Sequence, residues 1–225
     1  MKKIEIDTFL KFRFLSNPHF SPDGTKIAFT VSVPDRETNG YLSDLYLYDL
    51  GKKTVSRVTC SGDAKTWSWT AENTLIFTAA RTAALKKEKE NGTSFLYEIS
   101  PSGGEAQCIT SIPATVTGIR LLPDGRYLLT IRHDNYRDTR KKSYEVFDEL
   151  PFWANGQGIV NKKRTRLAVY DPENGSCEIV TPDYENVENS WVEGDDTILY
   201  VSSLYTDKKD VYQGLRSLLA SSRPL

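Results

Sequence analysis

Apolar and polar positions along the chain fall into one repeating arrangement: a large apolar residue, three or four turn formers, then an apolar strand. Four segments share it: "FSPDGTKIAF" from Phe20, "WTAENTLIF" from Trp69, "LLPDGRYLLT" from Leu121 and "WVEGDDTILY" from Trp191. This is the sequence form of a β-hairpin. A second hairpin follows the first in "LYLYDLGKKTVSRVT", "LYEISPSGGEAQCIT" and "LAVYDPENGSCEIVT", each ending in a β-branched residue and threonine. The offset from Tyr48 to Thr59 is the same as from Ile99 to Thr110 and from Tyr170 to Thr181.

Two hairpins per unit make four antiparallel strands, and units recurring at roughly 50 to 70 residues fit the blades of a β-propeller. A blade is buried on both faces by its neighbours, which explains why "KIAFTVSV", "DLYLYDL" and "TLIFTAA" are rich in Ile, Val, Leu, Phe and Tyr. A β-sandwich with regular hairpins is the competing architecture. The expected fold is therefore all-β, a partial β-propeller of four-stranded antiparallel blades, with three complete blades and the start of a fourth. After a lead-in at 1–15 the blades span about 16–60, 66–110, 115–182 and 187–213, and 133–164 is an insertion in the third. In the incomplete fourth, "KKDVYQ" is the candidate third strand, and the tail 214–225, "GLRSLLASSRPL", has neither turn nor alternation. Such an open arc exposes sheet faces and strand edges, so it should be poorly stable unless it associates or belongs to something longer.

Composition narrows the functional classes. At 225 residues and 39% hydrophobic content the chain can fill a core, in one large domain or two small ones. Lys plus Arg is 29 against 30 for Asp plus Glu, so no basic field favours nucleic acid or an anionic membrane as partner. The start "MKKIEIDTFLKF" lacks the apolar run of a secretory signal, and no stretch approaches the length of a membrane span. Cys60, Cys108 and Cys177 are odd in number and far apart, which suits free thiols, buried or at strand edges, in a reducing cytoplasm. The sequons at Asn91 and Asn174 read as turns.

Catalytic chemistry is sparse. No Gly-x-Ser-x-Gly elbow occurs, and the glycine-rich turns lack the spacing of a phosphate loop. His19 and His133 are the histidines, and His19 beside Phe20 reads as a packed or turn-facing residue. His133, Asp134 and Asp138 form a weak ligand set without a second histidine or a cysteine, so neither a metal site nor a cofactor is expected. The charged run "LKKEKENG" reads as a solvated loop or short helical tip.

The inserted segment "VFDELPFWANGQG" carries the most unusual composition. Phe147, Leu150, Phe152 and Trp153 surround Pro151, with Asn155 following. Burying each of the large apolar residues stabilises by about 1.5 to 3 kcal/mol, so they should dock on something. Either the segment folds over its own blade and covers a sheet edge, or it projects to meet a second domain or line an access route. In the latter case Phe147, Leu150, Phe152, Trp153 and Asn155 are the interdomain or access residues.

The opening "FLKFRFLSNPHFSPDGTKIAFTVS", the "SPDG" and "LPDG" hairpins, and "DELPFWANGQG" followed by "KKRTRLAVYD" resemble the N-terminal propeller of acylaminoacyl-peptidase-like members of the prolyl oligopeptidase family. The likeness covers about residues 7–213. The hairpin motif is shared with many propellers, TolB-like ones included; the start and the insertion narrow the resemblance. It implies a propeller of seven or eight blades over a C-terminal α/β-hydrolase domain with a Ser-Asp-His triad, which admits short peptides only. No position here matches the triad, so no catalytic residue is carried over and this chain alone is not expected to be an enzyme. The expected role is the non-catalytic, gating and substrate-selecting portion of an acylaminoacyl-peptidase or dipeptidyl-peptidase-like serine peptidase. Its expected partners are that hydrolase domain and, for the whole enzyme, short peptides. On this resemblance the chain ends early, through a disrupted reading frame or as a fragment. The alternatives are a stand-alone interaction scaffold that self-associates through open blade edges, and a free-standing hydrolase using His133 and Asp134 without a recognisable nucleophile.

Overall fold

A computed structural model describes residues 5–134, 152–154, 158–160, 163–183, 185–194, 197–204 and 218–224. The chain divides into two compact units, Met1–Pro113 with Ile119–Leu121, and Ala114–Gly118 with Leu122–Leu225. In the first, a 3-10 helix η1 (Ile6–Lys11) precedes a sheet of β1 (Phe14–Phe20), β2 (Lys26–Asp35), β3 (Gly40–Asp49) and β4 (Thr54–Arg57). A second sheet follows, of β5 (Trp67–Trp69), β6 (Leu75–Thr78), β7 (Ser94–Ile99) and β8 (Gln107–Ile112), with helix α1 (Ala83–Glu90) between β6 and β7.

The third sheet is β9 (Thr115–Leu121), β10 (Tyr127–Asp134), β13 (Lys163–Tyr170) and β14 (Cys177–Ile179), and the last residues of β9 fall to the first unit. Between β10 and β13 a hairpin of β11 (Phe152–Ala154) and β12 (Gly158–Val160) is inserted. The fourth sheet is β15 (Glu185–Glu193), β16 (Thr197–Leu204) and β17 (Leu218–Pro224). Among the described strands all pairings are antiparallel and join neighbours along the chain, the insertion aside. Among the described strands none crosses from one sheet to another as a Greek-key sandwich requires. These are propeller blades, as the hairpin pattern predicts.

The tail differs from its expected lack of strand structure: Leu218–Pro224 pairs with β16 from Thr197↔Pro224 to Ser203↔Leu218. A strand adds to an open edge through its backbone, so a segment ending "SSRP" can pair without an alternating side-chain pattern. "KKDVYQ" lies outside the described residues.

One turn opens the first three sheets. The Ser21 N–H donates to the Lys26 carbonyl at 2.8 Å and the Gly24 N–H to the Ser21 carbonyl at 2.8 Å. Thr70 and Asn73 repeat this with the carbonyls of Thr74 and Thr70, and Leu122 and Gly125 with those of Arg126 and Leu122. The turn needs a left-handed residue, supplied by Gly24 (φ 69°), Asn73 (φ 61°) and Gly125 (φ 88°). Asparagine tolerates that conformation, so "AEN" does the work of "PDG". The Asp23 N–H donates to Asn73 Oδ1 at 3.0 Å, tying the first two turns together.

Packing within each unit is face on face. Ala28, Leu45 and Leu47 of the first sheet cluster with Trp67, Trp69, Leu75, Phe77, Tyr97 and Ile99 of the second. Trp67 Nε1 donates to Thr30 Oγ1 at 2.9 Å, and Trp69 Nε1 to the His19 carbonyl at 3.1 Å. His19 itself sits edge-on to Trp67, with ring centroids 5.7 Å apart. In the second unit Leu122, Leu128, Leu167 and Val169 meet Val187, Ile198 and Tyr200.

The first turn makes stability depend on pH. Asp23 Oδ1 accepts from Ser21 Oγ (2.6 Å), the Thr25 N–H (2.9 Å) and Thr25 Oγ1 (2.8 Å). These bonds, the serine's first, hold its carboxyl down at about 2, from 3.8. A depressed folded-state value stabilises above the unfolded pKa, and that contribution is lost as pH falls through the folded one. Thermal melts should therefore show Asp23→Asn below wild type above about pH 5, with the gap closing toward about pH 2. A gap that persists at the acid end would contradict this role for the carboxylate.

Candidate functional site: the connection end of the blades

Strands of alternating direction send successive connections to opposite ends of a sheet. In the first three sheets the turns at one end are short: 21–25, 70–74 and 122–126 between first and second strands, and 50–53, 100–106 and 171–176 between third and fourth. At the opposite end the second strand joins the third, through 36–39, 79–93 and 135–162, and in the fourth sheet through 205–217. Every long insertion thus leaves its own sheet from the end away from the tight turns. The link between the first two sheets, 58–66, and η1 also lie at this end of their sheets.

In the first unit this end is structured in detail. A pocket of about 310 Å³ is lined by η1 and the β2–β3 hairpin, with Phe9, Leu10, Pro34 and Tyr41 as its apolar walls and Asp7, Asp35 and Arg36 as its charges. Asp7 and Arg36 approach to 3.4 Å, both well exposed, so the pair contributes little to stability. Asp35 Oδ2 accepts from the Thr38 hydroxyl and N–H, which lowers its carboxyl below the ordinary value.

The run "LKKEKE" forms most of α1, capped by Thr82 Oγ1 accepting from the Leu85 N–H at 3.2 Å. The helix buries no residue fully; Leu85 packs against the core of the first unit, and the base is tied down by Asp63, whose Oδ2 accepts from the Ala80 N–H at 2.7 Å and lies 3.8 Å from Lys89 Nζ. Beside it the Arg81 guanidinium lies 5.0 Å from the centre of the Tyr97 ring. Burial, first of all, raises the pKa of the Tyr97 hydroxyl, so it remains protonated at neutral pH.

The recurring threonine proves to be a latch at this end. Thr59 Oγ1 accepts from the Leu45 N–H at 2.9 Å and donates to Asp44 Oδ1 at 3.0 Å. Asp44 also accepts from the Gly62 N–H at 3.1 Å and from Arg57 at 2.6 Å. That bond raises the pKa of the Arg57 guanidinium. In the third sheet Thr181 Oγ1 accepts from the Leu167 N–H at 3.2 Å, while buried Arg166 bonds the Thr181 carbonyl and Asp183 Oδ1, the latter at 2.6 Å. The charges are interchanged: an acid precedes the leucine in one sheet, a base in the other. In the second sheet Phe95 stands there, and Thr110 pairs with Leu96 along β8.

Of the residues singled out from sequence, Phe152 and Trp153 lie in β11, opposite Val160 and Ile159, while Phe147, Leu150 and Asn155 lie outside the described residues. The insertion thus contains a short hairpin that its proline and glycines conceal. His133 and Asp134 pair with Arg164 and Lys163 in the β10–β13 ladder, and Asp138 is outside the described residues. Among the described residues no three His, Cys, Asp or Glu side chains gather as metal ligands, and no helix is long and apolar enough to cross a membrane. Cys60, Cys108 and Cys177 are free and exposed rather than buried, the last two on the outermost strands β8 and β14. Exposure follows from edge strands having no neighbour on one side. Sequence reasoning missed Asp44, Arg166 and Asp63; only the threonine spacing signalled the first two.

No family model matches the chain. YuxL of Bacillus subtilis, an uncharacterised peptidase, is 26% identical over 194 residues, which span 80% of this chain and 28% of that protein. Acylaminoacyl peptidase from Pyrococcus horikoshii matches with a TM-score of 0.66 at 15% identity, over 97% of this chain and 33% of the peptidase. The β-propeller domain of the Trilobed protease from Pyrococcus furiosus, with an open velcro topology, matches at 0.53 and 14% identity, over 97% of this chain and 58% of that one. The structural neighbours are thus acylaminoacyl peptidases and peptidase propellers, and the shared fold is the propeller. The chain spans about a third or less of the two peptidases.

The latch generates a direct test. Thr59→Val and Thr181→Val keep side-chain shape but remove the hydroxyl that accepts the leucine N–H, and each should cost about 1 to 3 kcal/mol in chemical denaturation. Thr54→Val, which removes an exposed hydroxyl on β4, serves as the reference. Losses no larger than the reference would show the threonines to be incidental.

Proposed function

We propose that this chain is the propeller portion of a serine peptidase of the acylaminoacyl-peptidase or dipeptidyl-peptidase-like kind, which gates access of short peptides to a separate α/β-hydrolase domain. The observation that carries the reading is the placement of every long connection at the end of its sheet away from the tight turns. The faces stacked within each unit are committed to packing, so this end is where those sheets keep freedom to recognise something. The third-sheet insertion, with Phe147, Leu150, Phe152, Trp153 and Asn155, leaves from that end and is the access segment. Support comes also from the likeness to peptidases in sequence and in fold. In this reading the hydrolysis belongs to the partner domain, and the free thiols suit a cytoplasmic setting.

The test uses a peptidase in which this chain is joined to a catalytic hydrolase domain. Trp153→Ala should leave kcat/KM for an acylated amino-acid anilide within about twofold, yet admit longer peptides than the parent cleaves. A peptide-length limit unchanged by Trp153→Ala and by deletion of 147–155 would sink the gating role.

A further inference from the structure

The pocket between η1 and the β2–β3 hairpin has its own position and chemistry. Register pairs Pro34 with Tyr41, as it pairs Ser32 with Ser43 and Thr30 with Leu45, and Phe14 stands opposite Ser32. Alternate residues of a strand share a face, so all of these lie on the face that stacks on the second sheet through Thr30 and Leu45. That face runs past the stack to Pro34 and Tyr41, and η1, packed on β2, brings Phe9 and Leu10 to its end. The pocket is therefore bounded by elements of one unit, on a face whose neighbouring sheet is present.

The walls suit a ring. Phe14 meets Tyr41 edge-on, with centroids 5.9 Å apart at 80°, and so holds it in place. Tyr41 is nevertheless 47% exposed and Phe9 49%. Two aromatic rings beside Leu10 and Pro34 thus leave apolar surface in water that a flat apolar group would cover. At about 310 Å³ the space lies at the small end of ligand pockets.

Charge selects the sign of the ligand. Asp7, Asp35 and Arg36 give the lining a net negative charge. Asp35 Oδ2 accepts from the Thr38 hydroxyl and N–H, which favours its ionised form and fixes its orientation. Arg36 and Asp7 are 3.4 Å apart and well exposed, a weak pair that an incoming cation can open. A ligand carboxylate would meet Arg36 against two acids, whereas an ammonium ion meets both acids and the faces of the rings.

We propose that this pocket binds a small aromatic amine in its protonated form, the ring against the Phe9, Leu10, Pro34 and Tyr41 walls and the ammonium toward Asp7 and Asp35. This binding does not depend on the gating role.

Phenethylamine titrated into the chain at millimolar concentration should shift the amide NMR signals of residues 7–10 and 35–41 saturably. Phenylethanol, with the same ring and no charge, should bind more weakly, and phenylpropionate, with the opposite charge, more weakly still. Asp7→Asn should weaken binding of the amine by about two- to fivefold, and Arg36→Ala should tighten it by a similar factor because it removes the competing cation. Asp35→Asn keeps an oxygen to accept from Thr38 and should also weaken the amine; Asp7, at an exposed position, keeps the test open if that variant loosens the hairpin. Phenylpropionate binding as tightly as the amine, weaker binding of the amine by Arg36→Ala, or no saturable shift at these residues overturns the proposal.

Discussion

The fold depends on two tryptophans of the second sheet seated against the first. Trp67 and Trp69 bury their rings in a shared apolar layer, and each indole N–H finds its acceptor on the preceding sheet. A ring of that size placed in a core without a partner for its N–H would lose much of what its burial gains. The hydrogen bonds to Thr30 and His19 therefore fix the spacing and register of one sheet on the other as well as satisfying the indoles. The Asp23 to Asn73 bond does the same between the turns at one end.

Where faces are stacked within a unit, the ends of their strands are what remains free to vary. At one end the turns are tight and share a left-handed residue, which keeps successive strands close. At the other end lie the connections that vary in length, and polar devices hold them in place. Asp63 anchors the base of an exposed helix, and the threonine latches pin the outer strand to the third strand of its blade. Rigid sheets that carry variable connections at one end are a common way to place recognition elements.

Much of this was legible from the chain alone, because the hairpin and the threonine spacing recur and each recurrence has a local physical cause. The blades follow from the turn formers and the alternating strands around Phe20, Trp69, Leu121 and Trp191. The latch partners were hidden because Asp44 and Arg166 occupy the same place with opposite charge, so no residue type repeats. Strand β17 was hidden because edge pairing is a backbone property, and β11 because Pro151 and the following glycines interrupt any alternation.

Amide hydrogen exchange followed by mass spectrometry tests the stacking of sheet faces most directly. In the first unit β6 is buried at every residue and hydrogen-bonded on both sides, whereas β1 and β4 are exposed throughout and paired on one side. Face-to-face stacking predicts that Leu75–Thr78 exchanges slowest and that Phe14–Phe20 and Thr54–Arg57 exchange early. Uniform exchange across β1, β4 and β6 would contradict it.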